Sequence, residues 1–293
     1  MTKPQPGILA EVPSHARYLT FSLDSTSAAR RALAAMNQLG GNESRVVGLG
    51  QSLLLALDTA IDGMREFPSQ SAAAVDIPAT PAALWCWLRG NDRGNLLHQG
   101  RALAAALAPA FQLRECIDAF KYDCGRDLTG YEDGTENPQD EAALEAAVVT
   151  GRGVHLDGSS FVAVQRWVHD LDGFATHSSA QQDNIIGRRR SDNEELDDAP
   201  ESAHVKRAAQ ESFEPPAFVV RRSMPWSEGA AAGLVFVAFG HSFNAFEALL
   251  RRMIGGDDGI TDGLFSFTRP VSGGYFWCPP VSGDGLDLGL LGI

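Results

Sequence analysis

The segment with the clearest capacity for chemistry is residues 125–138, which read GRDLTGYEDGTENP. Its glycine, aspartate, asparagine and proline residues favour turns over regular helix or strand, so we expect a loop. The Asp133-Gly134 step is typical of a tight turn, and a long turn is the plain structural interpretation of the segment. The alternative interpretation is a loop with a chemical function.

A second polar group lies in the other half of the chain. A single histidine such as His204 is more often an ordinary core or surface residue than a ligand. Arg221 and Arg222 are adjacent, and neighbouring side chains of a strand point to opposite faces, so only one of the two can enter a pocket. Ser223 would share the face of Arg221.

The fourteen residues 125–138 contain the motif GxxDG, as Gly-Tyr-Glu-Asp-Gly at 130–134, and they resemble the same block in the dye-decolorizing haem peroxidases. The resemblance covers roughly residues 10–280 and is strongest to the bacterial type B branch. Four further segments resemble family segments in the family's order: 184–196 (NIIGRRRSDNEEL), 202–207 (SAHVKR), 219–225 (VVRRSMP) and 265–276 (FSFTRPVSGGYF).

The resemblance implies a haem b site with a defined division of roles. His204 would be the axial ligand of the haem iron, Asp133 would take a proton from hydrogen peroxide, and Arg221 would stabilise the charge that develops as the O–O bond breaks. The family pattern puts the distal arginine first in its pair, so Arg221 is expected to face the haem and Arg222 to face away. Related sequences often carry asparagine in place of Ser223, which leaves the hydrogen bond of Ser223 to peroxide open.

Further members of the haem site stay open at this stage. Arg188 follows Gly187 as in the family and is expected to hold a haem propionate. An axial histidine normally donates its second N–H to a carboxylate, and the sequence does not choose among Glu214, Asp258 and Asp262. Aromatic residues could relay oxidising equivalents to bulky substrates, although filling the core is their simpler role: Trp167, Trp226, Tyr275 and Trp277.

The elements that must position these residues alternate between strands and helices in both halves of the chain. Hydrophobic periodicity predicts strands at 15–23, 83–88, 160–168, 217–222 and 234–239, and helices at 27–39, 92–108 and 242–254. Mixed elements of this kind favour an α+β fold with antiparallel pairing. The resemblance implies two ferredoxin-like domains of the dimeric α+β barrel type, with antiparallel sheets flanked by helices. We expect an N-terminal domain at 1–145 with the GxxDG loop and a haem-binding domain at 146–293.

Composition narrows the class of protein. The 293 residues carry 24 Lys and Arg against 37 Asp and Glu, a formal charge of −13, which argues against nucleic-acid binding. No apolar stretch approaches the ~18 residues that span a bilayer, and residues 1–13 lack the apolar core of a signal peptide, so we expect a cytoplasmic protein with no membrane partner. The four cysteines form no CxxC pair, and we expect reduced thiols: Cys86, Cys116, Cys124 and Cys278.

The tail at 281–293 reads VSGDGLDLGLLGI, in which residues 282–285 look like a flexible linker. The leucines that follow are expected to dock on their own domain or on a sister subunit, because a free tail would expose them to water. Alternatively, residues 286–291 resemble the short tails by which some peroxidases of this family are loaded into bacterial encapsulin shells.

Taken together, the sequence predicts a peroxidase that reduces hydrogen peroxide and oxidises phenolic or dye-like aromatic reductants, in a homo-oligomer. The alternative is a haem-handling protein that stores haem or releases its iron, since His204 would serve that function equally well.

Overall fold

A computed structural model describes residues 2–72, 75–283 and 285–293. For Asn42 it describes the backbone but not the side chain. The helices are α1 (Pro6–Leu9), α2 (Thr26–Gln38), α3 (Gln51–Ala56), α4 (Arg93–Leu107), α5 (Asp140–Ala147), α6 (Leu171–Ala175), α7 (Ser179–Ile186), α8 (His204–Arg207) and α9 (Asn244–Met253). The strands are β1 (His15–Leu23), β2 (Arg45–Leu49), β3 (Gln70–Ala72), β4 (Val75–Ile77), β5 (Leu84–Gly90), β6 (Phe111–Phe120), β7 (Ser160–His169), β8 (Val220–Arg221), β9 (Met224–Glu228), β10 (Ala231–Gly240), β11 (Thr268–Pro270), β12 (Gly274–Cys278), β13 (Val281–Ser282) and β14 (Gly285–Leu286).

Strands from both halves form one antiparallel sheet that closes on itself. The first half contributes the order β2-β5-β1-β6 and the second half the order β9-β10-β7-β12. Each is the strand order of a ferredoxin-like unit. The halves join where β6 pairs with β9 and β12 pairs with β2, and the β7–β10 pairing completes the barrel. The α+β fold of dimeric barrel type that the sequence predicted is confirmed.

The period-two pattern of the strands separates an inner from an outer core. On β1, Leu19 and Phe21 are buried in the layer beneath α2 and α4, and Tyr18 faces the barrel interior with Trp85 and Trp87 of β5. The Tyr18 ring stacks on both indoles, at centroid distances of 6.1 and 6.0 Å. Large flat side chains thus fill the barrel, and helices cover its outside.

Most predicted elements form, with informative exceptions. The Asp92 side chain accepts the backbone N–H of Asn95 and caps α4 as expected. The strand predicted at 217–222 is wrong in length, because only Val220–Arg221 pairs with β10. Strands β2 and β6 were not predicted. The polar residues of β6 (FQLRECIDAF) obscure its alternation, since much of this strand is exposed.

The expected linker at 282–285 is wrong for the described residues, because Val281–Ser282 pairs with Gly285–Leu286 in a small hairpin; Asp284 lies outside the described residues. The leucines that follow dock on their own chain, and Leu288 and Leu291 are 2% and 1% exposed. Arg30 of α2 donates to the Leu291 carbonyl at 2.8 Å. The domain boundary placed after residue 145 falls inside α5 and stays a prediction.

Two further expectations concern the GxxDG segment and the cysteines. The GxxDG segment is irregular, as predicted, and connects β6 to α5. Gly130 and Gly134 have φ angles of 89° and 80°, a region that glycine enters without steric cost, which explains the glycine at each end of the motif. The cysteines are free thiols, with Cys86 and Cys278 buried and the other two exposed.

Candidate functional site

A large cavity lies between the outer face of strands β7 and β10 and helix α9. Its volume is about 1040 Å³, including the space at its mouth. The sheet contributes Trp167 and Phe236, and the helix contributes Phe246 and Leu250, so most of the wall is apolar. We call this space the main cavity. His204, Asp133 and Arg221 all line it, although they are far apart in the sequence.

His204 begins the short helix α8, and its ring is oriented by a buried carboxylate. Its Nδ1 lies 2.8 Å from Oδ2 of Asp262, whose side chain is fully buried. A carboxylate in this position accepts the N–H of a tautomer protonated on Nδ1, and that tautomer presents the Nε2 lone pair to a metal. The structure therefore selects one of the three candidate carboxylates. Asp258 instead forms a bidentate ion pair with Arg207, and Glu214 is exposed.

Asp133 and Arg221 form a loose pair on the cavity wall. Oδ1 of Asp133 lies 4.0 Å from an Arg221 guanidinium nitrogen, and the side chains are 26% and 17% exposed. Arg222 does not line the main cavity and donates instead to the Leu9 carbonyl at 2.8 Å. Ser223 likewise does not line the main cavity but faces a neighbouring one, and its Oγ accepts the Val237 N–H at 3.4 Å. Of the three residues only Arg221 lines the main cavity, and all three line its neighbour. The expectation that Ser223 accompanies Arg221 into the main cavity is wrong, because the paired strand ends at Arg221 and strict alternation ends with it.

Two side-chain amides that sequence reasoning missed tie the GxxDG loop to the strand that carries Arg221. Asn137 accepts the Arg221 N–H at 2.8 Å and donates to its carbonyl at 3.0 Å, as a neighbouring strand would. Gln210, 3% exposed, donates to the Glu136 carbonyl at 2.9 Å and accepts the Val219 N–H at 2.7 Å. These bonds fix the loop against β8, and with it the spacing of Asp133 and Arg221.

A second missed feature anchors the start of the same loop. His169 has its Nε2 3.0 Å from Asp127 Oδ2 and its Nδ1 2.6 Å from Thr268 Oγ1, and all three residues line the main cavity. Burial would raise the pKa of Asp127, but the hydrogen bond and charge of His169, together with bonds from Thr129, lower it below its usual range. The alternation of Gln165, Trp167 and His169 along β7 was the available signal, since it places all three on one face.

Tyr131, the second residue of the GxxDG motif, also lines the main cavity and is 4% exposed. Its hydroxyl donates to Asp183 of α7 at 2.5 Å, and burial followed by this carboxylate raises the pKa of the phenol. Asp183 also accepts the backbone N–H of Arg190. The central part of the loop is thereby connected to α7 and the basic segment that follows it.

Arg188 does not line the main cavity. Its guanidinium contacts Glu136 at 2.6 Å and Glu195 at 2.5 Å, and it also donates to the Asn193 carbonyl. The structure thus places this arginine in a cluster with two carboxylates at the edge of the GxxDG loop. Its role as a propionate partner stays a prediction.

Among the four aromatic residues considered as relays, one reaches the main cavity. Trp167 lines it and is 6% exposed, and its carbonyl accepts the indole N–H of Trp226 at 3.0 Å. Tyr275 stacks on Phe243 at 3.9 Å. Because Trp226, Tyr275 and Trp277 are each at most 3% exposed, all three contribute to core packing.

The main cavity has the features that a haem needs. A haem is a flat and mostly apolar group with two carboxylates at one edge, and its iron accepts an axial imidazole. His204 offers that imidazole beside apolar walls. Within the described residues, three buried donors on this wall have no hydrogen-bond partner: Gln165 Nε2, Trp167 Nε1 and Arg221 Nε. Unpaired donors beside apolar walls and the His204 imidazole are compatible with a polar-edged apolar cofactor, so the residues present fit a bound haem.

The chain is similar to proteins of one family. A family profile described as Dyp-type peroxidase, C-terminal, matches residues 124–283. A dye-decolorizing peroxidase of Mycolicibacterium paratuberculosis (strain ATCC BAA-968 / K-10) is 32% identical over 216 residues, which are 72% of this chain. The match spans 60% of that relative's length.

Solved structures show the same fold. A variant of DypB from Rhodococcus jostii RHA1 in complex with heme aligns with a TM-score of 0.84 and 26% identity, covering 94% of this chain and 96% of that chain. The encapsulated DyP-type peroxidase from Mycobacterium smegmatis aligns with a TM-score of 0.84 and 24% identity, covering 95% of this chain and 96% of that chain. The second likeness concerns the fold alone.

Proposed function

The chain belongs to the Dyp-type peroxidase family, and from this premise we propose that it is a haem b peroxidase that reduces hydrogen peroxide and oxidises phenolic or dye-like aromatic reductants. One observation carries the proposal: the imidazole of His204, backed by Asp262, lines the same cavity as the Asp133–Arg221 pair. An axial ligand and an acid–base pair in one apolar cavity are the protein groups that peroxide reduction requires.

His204 would hold the iron through Nε2, and Asp262 would fix its tautomer and increase the electron density on the ring. The haem, when bound, supplies the redox chemistry of the site. Among the candidate carboxylates only Asp262 contacts this imidazole, so we assign it the role of orienting the axial ligand.

Asp133 and Arg221 would act on the peroxide itself. The Asp133 carboxylate accepts the proton of the bound peroxide oxygen and returns it to the oxygen that leaves as water. The Arg221 guanidinium stabilises the negative charge that develops on that oxygen while the O–O bond breaks. At a spacing of 4.0 Å the two side chains lie close enough to act on the same molecule without forming a close ion pair.

The haem-handling alternative uses the same His204 but has no need of the Asp133–Arg221 pair. The comparisons support the peroxidase, because the relatives found are described as peroxidases. The decisive experiment supplies haem-loaded protein with hydrogen peroxide and guaiacol, and follows both phenol oxidation and the fluorescence of iron-free porphyrin.

We expect sustained phenol oxidation, its loss in the Asp133→Ala/Arg221→Ala double variant, and no iron-free porphyrin. Release of iron-free porphyrin without phenol oxidation would contradict the peroxidase and support the alternative.

Within the described residues, no helix is long and apolar enough to cross a membrane. We further propose a cytoplasmic homo-oligomer, in keeping with the composition of the chain.

Loading into an encapsulin shell is a separate proposal that rests on the tail sequence at 286–291. In the structure this tail is docked, with Asp287 bonded to His155 at 2.6 Å and Leu286 to Asn37, so loading would require its release. Deletion of residues 284–293 tests this point. Lost co-purification with a shell protein at unchanged thermal stability supports shell loading, whereas a lower melting temperature alone shows that the tail only stabilises its own domain.

A further inference from the structure

A second cavity, which we call the side cavity, adjoins the main one. It has a volume of about 1170 Å³, including the space at its mouth, and lies between the residues after α1, the residues after β6 and the segment that follows Arg221. Asp133, Arg221 and Leu234 line both cavities. A molecule in the side cavity would therefore be separated from the haem site by a wall about one side chain thick.

The side cavity is basic in a strongly acidic protein. Its wall carries four cations and two carboxylates, although the whole chain has a formal charge of −13. Of the cations, Arg126 has acidic neighbours, with Asp123 at 3.5 Å and Glu132 at 3.4 Å, and Arg221 faces Asp133. Lys121 and Arg222 are the other two.

Lys121 and Arg222 are not committed to any carboxylate in the described part of the chain. Arg222 donates to the carbonyls of Leu9 and Arg221, and its buried Nε–H has no partner. Burial lowers the pKa of Arg222, and the exposed Glu11 only partly offsets this. Since two backbone carbonyls and no carboxylate hold this guanidinium, its charge is available to an anion in the cavity, and arginine is suited to carboxylate and sulfonate oxygens.

The rest of the wall is apolar. Leu9, Val12, Pro225 and Leu234 contribute aliphatic surface, and Tyr122 presents a ring that is 43% exposed. An inorganic anion gains nothing from such a surface, whereas an aromatic ring does. The combination of flat apolar area with two available cations is typical of a site for an aromatic molecule that carries one negative group.

We propose that the side cavity binds an aromatic carboxylate or sulfonate, with the anionic group at Arg222 and Lys121 and the ring against Tyr122 and Leu234. The inference deepens the proposed function, on which its catalytic meaning rests, because it names a class of reductant and its place. Where the bound anion also carries a phenol, two such molecules each give up one electron and one proton from the phenolic O–H, and one hydrogen peroxide becomes two waters as its O–O bond breaks.

The test measures binding to haem-loaded protein without peroxide, so it does not depend on turnover. Isothermal titration with 2-naphthalenesulfonate should give saturable binding at one site, and the neutral isostere 2-naphthol should bind at least about tenfold more weakly. Arg222→Gln should weaken binding of the sulfonate by at least about tenfold, Lys121→Gln by a smaller factor, and Arg222→Lys should recover part of the loss. Sodium sulfate should compete poorly.

The matched control is Arg114→Gln, since Arg114 is an exposed arginine outside the cavity and should leave the affinity unchanged. The proposal would be overturned if Lys121→Gln and Arg222→Gln each bound the sulfonate as tightly as the wild type does. Equal binding of 2-naphthol, or displacement by sulfate at the same concentration, would also overturn it. If Arg222→Gln fails to fold, Tyr122→Ser and Lys121→Gln decide, because both side chains are exposed. A charge-dependent site in a protein without peroxidase activity would contradict the proposed function and leave the binding site intact.

Discussion

At the scale of single residues, the His204–Asp262 contact would connect the proposed haem ligand to the fold. The carboxylate is fully buried and also accepts the Leu264 N–H at 2.9 Å, so its position is fixed before any ligand binds. A histidine oriented in this way presents one nitrogen lone pair to the cavity. The sequence motif locates the histidine, and the folded chain supplies the partner that makes it a good ligand.

His204→Ala should abolish axial ligation, because His169, the other histidine described on this wall, has both ring nitrogens engaged by Asp127 and Thr268. Asp262→Asn should retain the ligand and weaken haem binding by about 10–100-fold, the usual cost of losing such a partner. Absorption spectra and haem-transfer rates measure both effects. His98→Ala, on the exposed face of α4, is the control. An unchanged ligand spectrum in His204→Ala would rule out the assignment.

The Asp127–His169 contact predicts how stability depends on pH. The pKa of Asp127 is lower in the folded chain than the unfolded value of about 3.9, so the contact stabilises the fold above that pH. The contribution is lost as the pH falls through the folded pKa. We expect Asp127→Asn to destabilise by ~1–3 kcal/mol at pH 6, and this difference to shrink below pH ~4.

Urea unfolding at pH 6, 5, 4 and 3 measures that difference. Asp198→Asn removes an exposed acid and serves as the control. A difference in unfolding free energy between Asp127→Asn and wild type that grows as the pH falls would contradict this prediction.

At the scale of elements, the GxxDG loop is held at three places against three different parts of the fold. Asp127 is tied to His169 of β7, Tyr131 to α7, and Asn137 to β8. Ordering a loop rich in glycine costs much conformational entropy, and these contacts offset that cost. These contacts let an irregular segment present Asp133 at a fixed distance from Arg221.

Asn137→Ala should separate these two residues without emptying the haem site. Two hydrogen bonds to the Arg221 backbone are lost, at a cost of about 1 kcal/mol each, and the peroxide reaction should slow while haem binding is retained. Calorimetry and the ratio of kcat to KM for peroxide give the two readouts. Gln38→Ala, at the exposed end of α2, is the control. A peroxide reaction as fast as in wild type would show that the loop holds its position without this side chain.

At the scale of the whole molecule, closure of the sheet explains why residues from both halves meet. Each ferredoxin-like half would leave strand edges open, and pairing of β6 with β9 and of β12 with β2 removes them. The GxxDG loop leaves the first half directly after β6 and reaches the outer face of the second half, where β7, β10 and α9 form the main cavity.

The sequence predicted the parts of this arrangement that depend on local pattern or on a contiguous motif. The irregular GxxDG loop belongs to this part, as does the presence of Arg221 on the main cavity wall. Asp262 could not be chosen over Asp258, because the choice depends on how the chain after α9 returns to α8. His169 was missed for the same reason, since its partners Asp127 and Thr268 are 42 and 99 residues away.

The most direct test of the account is the rate at which the Soret band of haem-loaded protein changes on rapid mixing with hydrogen peroxide. We expect a fast change of the Soret band in wild type, a rate lower by a factor of ~10²–10³ in Arg221→Leu, and a smaller decrease in Arg222→Leu. Arg114→Leu should behave as wild type. A rate in Arg221→Leu equal to that of wild type, or a larger loss in Arg222→Leu than in Arg221→Leu, would contradict the assignment of Arg221 to the peroxide.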